Sequence, residues 1–409
     1  MSISPTPLSS PSPLRGEIRL LLACAGLHLV PDHRTTIAAL LDQGLDWEYV
    51  LRTAARHRIT PLLFQGLAQG CPERVPKAIT AYLKQRYHLN HLKNLFLTHQ
   101  LKGLLQLFQQ QQVPVLAYKG PVLAQMAYGN LALREFCDLD LLVHPDQFCT
   151  AQAVLEGAGY TQIMNLSWEN QYASADQQVN IDLHRRLCPD YFYLPDEFIN
   201  PQQDRPSLES WFLLLCIQIG KDCCHWKLCL SQLFDLAELW RSHPDLEFAL
   251  VQEQARALGC HRLLWMSICL IQEVLAFPLP PAVQAQLIDQ RVAQDLAQQV
   301  QQKLWYEVDH PKPRRAEVGF WEFFRDLDHR FYLRIRERPR DRLRYAWHWL
   351  WKFIRFSLTP NQADRNLVRL PPYLSFLYCP IHVIRLILKY GWFKAVARAK
   401  RDRHHILGV

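Results

Sequence analysis

Apolar residues recur at three- and four-residue intervals along most of the chain and alternate with polar ones in only a few short stretches. The first pattern predicts amphipathic helices, the second half-buried strands. Glu17–Leu29, Arg34–Leu41, Trp47–Gln69 (broken at Pro61) and Ala78–Gln112 read as helices. In the last, Leu92, Leu95, Leu101, Leu104, Leu105 and Phe108 mark the apolar face. Helical spacing returns from Ser207 to Phe277, with Ser207-Leu208-Glu209-Ser210 placed to cap Trp211–Ile219, and again over Ala282–Trp305. Between these regions the period changes. Val115–Ala117 is an apolar run after Pro114, Val122–Tyr128 a short helix stopped by Gly129-Asn130, and Asp138–Val143 a second strand. A helix from His144-Pro145-Asp146 through Leu155, closed by Gly157-Ala158-Gly159, and a strand-rich section from Tyr160 that ends at Val179–His184 complete a mixed α/β unit. The expected organisation is a tail at 1–15, a helical lobe at 16–112, a mixed core at 113–204, a helical domain at 205–290 and a C-terminal helical region with a basic tail at 291–409.

The candidate chemistry sits in the mixed core. Asp138 and Asp140 are two apart on a strand and share a face, while Leu139 and Leu141 take the other. Two neighbouring carboxylates repel, so they share a proton or are neutralised by a cation. Hard oxygen ligands suit Mg²⁺ or Mn²⁺. Asn180, Asp182 and His184 share one face of the later strand, and Asp182 completes a three-carboxylate site if that strand lies beside the first. Three acids on a sheet fit phosphoryl transfer with divalent ions. Gly120, in Lys119-Gly120-Pro121, permits an unusual backbone angle, and free N–H groups at such a corner hold phosphate.

Corner, paired acids and third acid resemble the DNA polymerase beta-type nucleotidyltransferase superfamily. More closely, the chain is similar to a family of uncharacterised nucleotidyltransferases. The resemblance rests on Lys119-Gly120, Arg134, Asp138–Val143 and Ile181-Asp182-Leu183-His184. It extends to Ala54–Leu63 on one side, and to Leu358-Thr359-Pro360, Asp364 and Leu370-Pro371-Pro372 on the other. It implies an α+β fold, in which a polymerase-beta-like core with a small mixed sheet is embedded in a mostly α-helical chain. It also implies a metal-dependent enzyme moving a nucleoside monophosphate from a nucleoside triphosphate to a hydroxyl acceptor. Asp138 and Asp140 would bind the metals that carry the nucleotide, and Asp182 would complete the site and help activate the acceptor. Gly120 would admit the phosphates, Lys119 or Arg134 would neutralise them, and His184 would orient Asp182 or touch the acceptor. The plainer readings are a solvated Lys119, an Arg134 paired with Glu135 or a core acid, and a structural His184. The chain departs from the wider superfamily at Pro121, which replaces a Gly or Ser and offers no N–H. Gln218 and Asp222 stand where the closer family has histidines.

Composition narrows the setting. A hydrophobic share of 49% with 21% charged residues excludes a disordered chain. The net charge of +8 favours an acidic partner, whether nucleotide, nucleic acid or anionic membrane surface. Twelve irregularly spaced cysteines make no disulfide framework and point to a reducing, cytoplasmic setting. Cys223-Cys224-His225 with Cys229 lacks a second pair at zinc spacing. The Ser/Pro-rich stretch Ser2–Pro13 reads as a flexible tail, and His310–Arg315 as an exposed loop. No transmembrane helix is expected, since the nearest candidate, Leu374–Leu388, is broken by Pro380, His382 and Arg385. Arg340, Arg344, His348 and Lys352 form one stripe of a helix, and Leu343, Trp347, Leu350, Trp351 and Ile354 another. The ordinary reading is a packed aromatic stripe and a solvated basic one. The alternative is a peripheral contact with an anionic membrane or RNA. A nucleotidyltransferase-fold binding module without chemistry is the other alternative. The basic tail Lys394–His405 is read as frayed.

Overall fold

The period-two stretches meet in a single five-stranded sheet. The computed structural model describes residues 14–26, 33–202, 206–309, 328–358, 362–368, 370–382 and 384–385, and the chain divides into two units, 1–338 and 339–409. The expected tail at Ser2–Pro13, loop at His310–Arg315 and tail at Lys394–His405 lie outside the described residues. The fold class is mixed α+β, mostly helical around this sheet.

In the first unit the strands are β1 (Val115–Ala117), β2 (Leu139–Val143), β3 (Thr161–Asn165), β4 (Glu169–Ala173) and β5 (Asn180–His184). They lie in the order β1-β2-β5-β4-β3. Only the β2–β5 pair is parallel. A parallel pair needs a long crossover, supplied here by a helix, Phe148–Gly157, and the β3–β4 hairpin. β2 is buried along its whole length, as its apolar run requires. Leu139, Leu141, Val143, Ile181 and Leu183 pack with Leu101, Leu104, Phe108, Phe148 and Leu155 in one core. Each such side chain contributes about 1.5–3 kcal/mol by leaving water.

The helices ahead of the sheet are α1 (Gly16–Ala25), α2 (His33–Leu41), α3 (Trp47–Arg56), α4 (Thr60–Gly70) and α5 (Lys77–Gln110). Asp46 caps α3, accepting from the Tyr49 N–H at 3.1 Å. The stretch expected to break at Pro61 breaks three residues earlier, and Pro61 sits in the first turn of α4, where its missing N–H costs nothing. α5 departs from its expected apolar face. Leu101, Leu104 and Phe108 are buried, but Leu92 and Leu95 are 62% and 44% exposed. The N-terminal half of α5 docks through amides instead. Asn94 donates to the carbonyls of Leu131 and Arg134, both at 2.7 Å, and Asn90 to those of Ala132 and Arg134 at 3.0 and 3.2 Å. Those carbonyls belong to the segment leading into β2.

α6 (Gly120–Tyr128) follows β1 and ends at Gly129 in the left-handed region, and α7 is the crossover helix Phe148–Gly157. After the sheet come α8 (Leu208–Cys224), α9 (Leu230–Ser242), α10 (Phe248–Leu258) and α11 (His261–Leu275). Ser207 caps α8 by accepting from the Ser210 N–H at 3.2 Å. α9 carries Asp235, whose side chain is 3% exposed. The Asp235 carboxylate accepts from Arg134 Nε at 3.1 Å and from the Tyr128 hydroxyl at 2.9 Å. One buried acid thus ties α9 to the end of α6 and to the approach to β2.

In the second unit, the helix Pro339–Leu358 overturns the ordinary reading of its aromatic stripe. Leu343, Trp347, Leu350, Trp351 and Ile354 are all exposed, Leu343 and Trp347 at 70% and 66%. The buried positions are Asp341, Tyr345 and Trp349, spaced by four. Aromatics lie on both faces of this helix, so their spacing alone could not select the buried one. Among the described residues, no helix is long and apolar enough to cross a membrane.

The Asp235 tie gives a stability prediction. Asp235→Ala strands the Arg134 guanidinium in a buried site and should cost about 3–5 kcal/mol in denaturant unfolding. An unchanged midpoint would show that the pair does not brace the sheet.

Candidate functional site

Parallel pairing of β2 with β5 sets Asp140 directly across from Asp182, and Leu142 across from His184. On the other side of β5, the antiparallel pairing with β4 sets Glu169 opposite His184. His184 lies between two acids. Its Nε2 is 3.2 Å from Asp140 Oδ1 and its Nδ1 is 3.1 Å from Glu169 Oε2, the second contact lying off the direction of a hydrogen bond. Lys119 Nζ donates to the same Asp140 oxygen at 2.9 Å. The buried ring of Tyr118 meets the His184 ring edge-on, with centroids 5.3 Å apart.

The Lys119 corner is built as its sequence demands. Gly120 has φ +52°, a conformation that favours glycine, and a side-chain carbon there would press on the Asp138 carbonyl at 3.4 Å. The backbone of the corner therefore passes close to the acidic strand.

Crowding governs the electrostatics. Burial opposes ionisation of Asp140, but Lys119 and then His184 outweigh it and hold this carboxyl well below its usual range. Burial likewise opposes the Lys119 charge, and Asp140 outweighs it. Asp182 gains no such partner. Burial, then the carboxylates of Asp140, Asp138 and Glu169, push it up to about 8. Asp138 is also raised, by burial and by Asp140, with Lys119 and Arg58 pulling the other way.

Ligand atoms of Asp140, Asp182 and His184 all lie within 4.8 Å of one another, the one such group among the described residues. Two carboxylates and an imidazole fit a divalent cation. The oxygens suit Mg²⁺ or Mn²⁺, and the imidazole suits the softer of the two. A cation would also relieve the repulsion that keeps Asp182 protonated. Asp138, on the same face one step before β2, stands outside that group, near enough to feel Asp140. Lys119 and Arg134 are both engaged by acids, Asp140 and Asp235 respectively.

Glu169, Tyr118, Tyr128 and Asp235 escape a reading of the sequence. Glu169, Tyr128 and Asp235 lie outside the motif stretches in sequence and reach the site through tertiary pairing, while Tyr118, next to Lys119, meets the His184 ring. Glu169–Ala173, Glu-Asn-Gln-Tyr-Ala, does not alternate polar with apolar, and its register against β5 has no local signal. Gln218 donates to the Leu187 carbonyl, and Asp222 accepts from Gln232 at 2.8 Å, so both serve packing contacts. Cys223 and Cys224 are fully buried in α8, and His225 meets the Tyr191 hydroxyl at 2.6 Å. No metal group forms there among the described residues.

The sequence model of a family described as uncharacterised nucleotidyltransferase matches residues 43–276, which span α3 to α11 and contain every residue of this site. No curated protein and no solved structure matches the chain.

The raised Asp182 acid gives a pH dependence with a definite sign. Below about pH 4 the carboxyl is protonated whether the chain is folded or not. Between there and about 8 the unfolded chain ionises while the folded one does not, so metal-free protein loses stability as pH rises. Asp182→Asn should therefore raise the melting temperature in EDTA near pH 8, with the gain vanishing towards pH 4. A gain independent of pH would contradict the crowding of these acids.

Proposed function

We propose, from the premise that the chain belongs to the uncharacterised nucleotidyltransferase family, that it moves a nucleoside monophosphate from a nucleoside triphosphate to a hydroxyl acceptor on a polymerase-beta-like core. The observation that carries this reading is the register of Asp140 against Asp182 beside a left-handed glycine corner. Asp140, Asp182 and His184 would hold a divalent cation, with Asp138 at its side. When bound, such an ion supplies charge neutralisation at the phosphate oxygens and orients them.

The chain's own groups divide the remaining work. The acceptor oxygen bonds to the α-phosphorus, the bond to the β-phosphate bridge breaks, and pyrophosphate leaves with that electron pair. Asp182, which would be ionised with a cation beside it, takes the acceptor's proton, and burial among Asp140, Asp138 and Glu169 favours the protonated form it then reaches. Lys119 keeps Asp140 ionised throughout, and Glu169 stands against the far side of the His184 ring. Gly120 lets the backbone approach the phosphates.

Two further readings each have an observation in their favour. Pro121 removes an N–H from the corner, which favours a nucleotide-binding module without transfer. The exposed Leu343, Trp347, Leu350 and Trp351, beside exposed Arg340 and Arg344, favour a contact with an anionic membrane surface.

Transfer of labelled nucleotide into cell extract, compared between wild type and Asp140→Asn or Asp138→Asn, tests the enzymatic reading. Each substitution should lower transfer by several kcal/mol, at least about a hundredfold, with the fold intact by circular dichroism. Undiminished transfer in both variants would remove the chemistry from this site. Mg²⁺-dependent nucleotide binding with no transfer by wild type would leave the binding-module reading.

A further inference from the structure

The cations nearest the acids are already engaged, Lys119 by Asp140 and Arg134 by Asp235. The phosphates of a nucleotide or of a phosphorylated acceptor need positive charge from elsewhere. Beside the segment that enters β2 lies a cavity of about 130 Å³, lined by Thr60, Pro61, Arg86, Asn90, Lys93 and Glu135 among others. Arg86, Asn90 and Lys93 are four and three residues apart, so one face of α5 supplies them. Asn90 and Asn94 bond this face to the carbonyls of residues 131–134, which fixes it against the approach to Asp138.

The opposite wall is the start of α4, whose first turn presents the positive end of the helix. Just before it stands Arg58, with φ +56° in a region that disfavours a side chain. The conformation closes the C-terminal end of α3, where the Ile59 N–H donates to the Ala54 carbonyl at 3.0 Å and the Arg58 N–H to the Ala55 carbonyl at 3.2 Å. Buried His57 accepts from the Leu230 N–H through Nδ1 at 3.4 Å, and its carbonyl accepts from the Ser231 N–H at 3.2 Å. The start of α9 thus pins the α3–α4 turn in the form that presents Arg58. Arg58 acts on both Asp138 and Cys137, and Lys93 on Cys137, favouring their ionised forms. Arg58, Arg86 and Lys93 are exposed, and among the described residues none has an acid within ion-pair distance. Glu135 is the one carboxylate on the cavity wall.

We propose that Arg58, Arg86 and Lys93 form a phosphate-binding subsite, contributed by the helices preceding the sheet and opening beside Asp138. Guanidinium forks match phosphoryl oxygens in pairs, and the lysine adds a point charge. The nucleotidyl-transfer reading explains why a phosphate comes here, and the binding itself can be measured without it.

The test is calorimetric titration of the full chain with inorganic tripolyphosphate, in EDTA and at fixed ionic strength. Wild type and Asp140→Asn should both bind, since the acids are not part of the subsite. Arg58→Ala/Lys93→Ala should weaken binding at least about tenfold, or about 1.4 kcal/mol. Arg86→Ala, an exposed position on α5 outside the pinned turn, should weaken it severalfold and carries the test if the double variant does not fold. Displacement of tripolyphosphate by metal-free ATP assigns the subsite to the nucleotide's tail, and simultaneous binding assigns it to a phosphate on the acceptor. Wild type that does not bind tripolyphosphate, or variants that bind it as wild type does, overturns the proposal even if transfer depends on Asp140. Loss of transfer in Asp140→Asn with tripolyphosphate binding intact separates the two readings.

Discussion

The parallel register of β2 against β5 is the constraint on which the rest of the site depends. It sets Asp140 and Asp182 side by side in a largely buried setting, where two ionised carboxylates are not tolerated without compensation. The protein compensates one of them. Lys119, delivered by the glycine corner, and His184, two residues after Asp182, both converge on a single Asp140 oxygen. Asp182 is left to hold its proton. The asymmetry leaves Asp140 fixed as an ionised carboxylate and Asp182 poised near neutrality, where a group exchanges protons most readily.

Holding that register takes more than the two strands. β5 is pinned on its other side by β4, and β2 by β1. The segment entering β2 is gripped three ways: by the amides of Asn90 and Asn94, by the Arg134–Asp235 pair, and by the close passage of Gly120 over the Asp138 carbonyl. Helices distant in sequence thus set where the acids stand. The family match spans α3 to α11 accordingly, far beyond the sheet.

The local parts of this arrangement were legible in the sequence because they rest on local rules. Gly120 before a proline-led helix, alternation at Asp138–Asp140 and at Asn180–His184, and a helix cap within Ser207–Ser210 each follow from backbone geometry within a few residues. What could not be read depends on partners chosen in three dimensions. Asp235 looks like any acid of an amphipathic helix until Tyr128 and Arg134 close on it. Glu169 gains meaning only from strand register. Leu92 and Leu95 continue an apolar pattern that the fold does not use, because buried amides dock that half of α5. In Pro339–Leu358 the aromatic residues lie on two faces, and the heavier face is the exposed one.

Electrostatic accounting links the core to the helices around it. Lys119 and Arg134 can bring positive charge to a substrate only by releasing Asp140 or Asp235, and each release leaves a buried acid uncompensated. That cost makes them poor phosphate ligands and good braces. Arg58, Arg86 and Lys93 stand in water and, among the described residues, pair with no buried acid, so turning to an incoming anion uncovers none. The core therefore spends its cations on keeping the acids ionised and in register, and the helical lobe is the part free to answer the charge of a ligand. On this view the positive φ that closes α3 also aims Arg58, the bonds from His57 to the start of α9 hold that turn, and the lobe contributes to recognition as well as to packing.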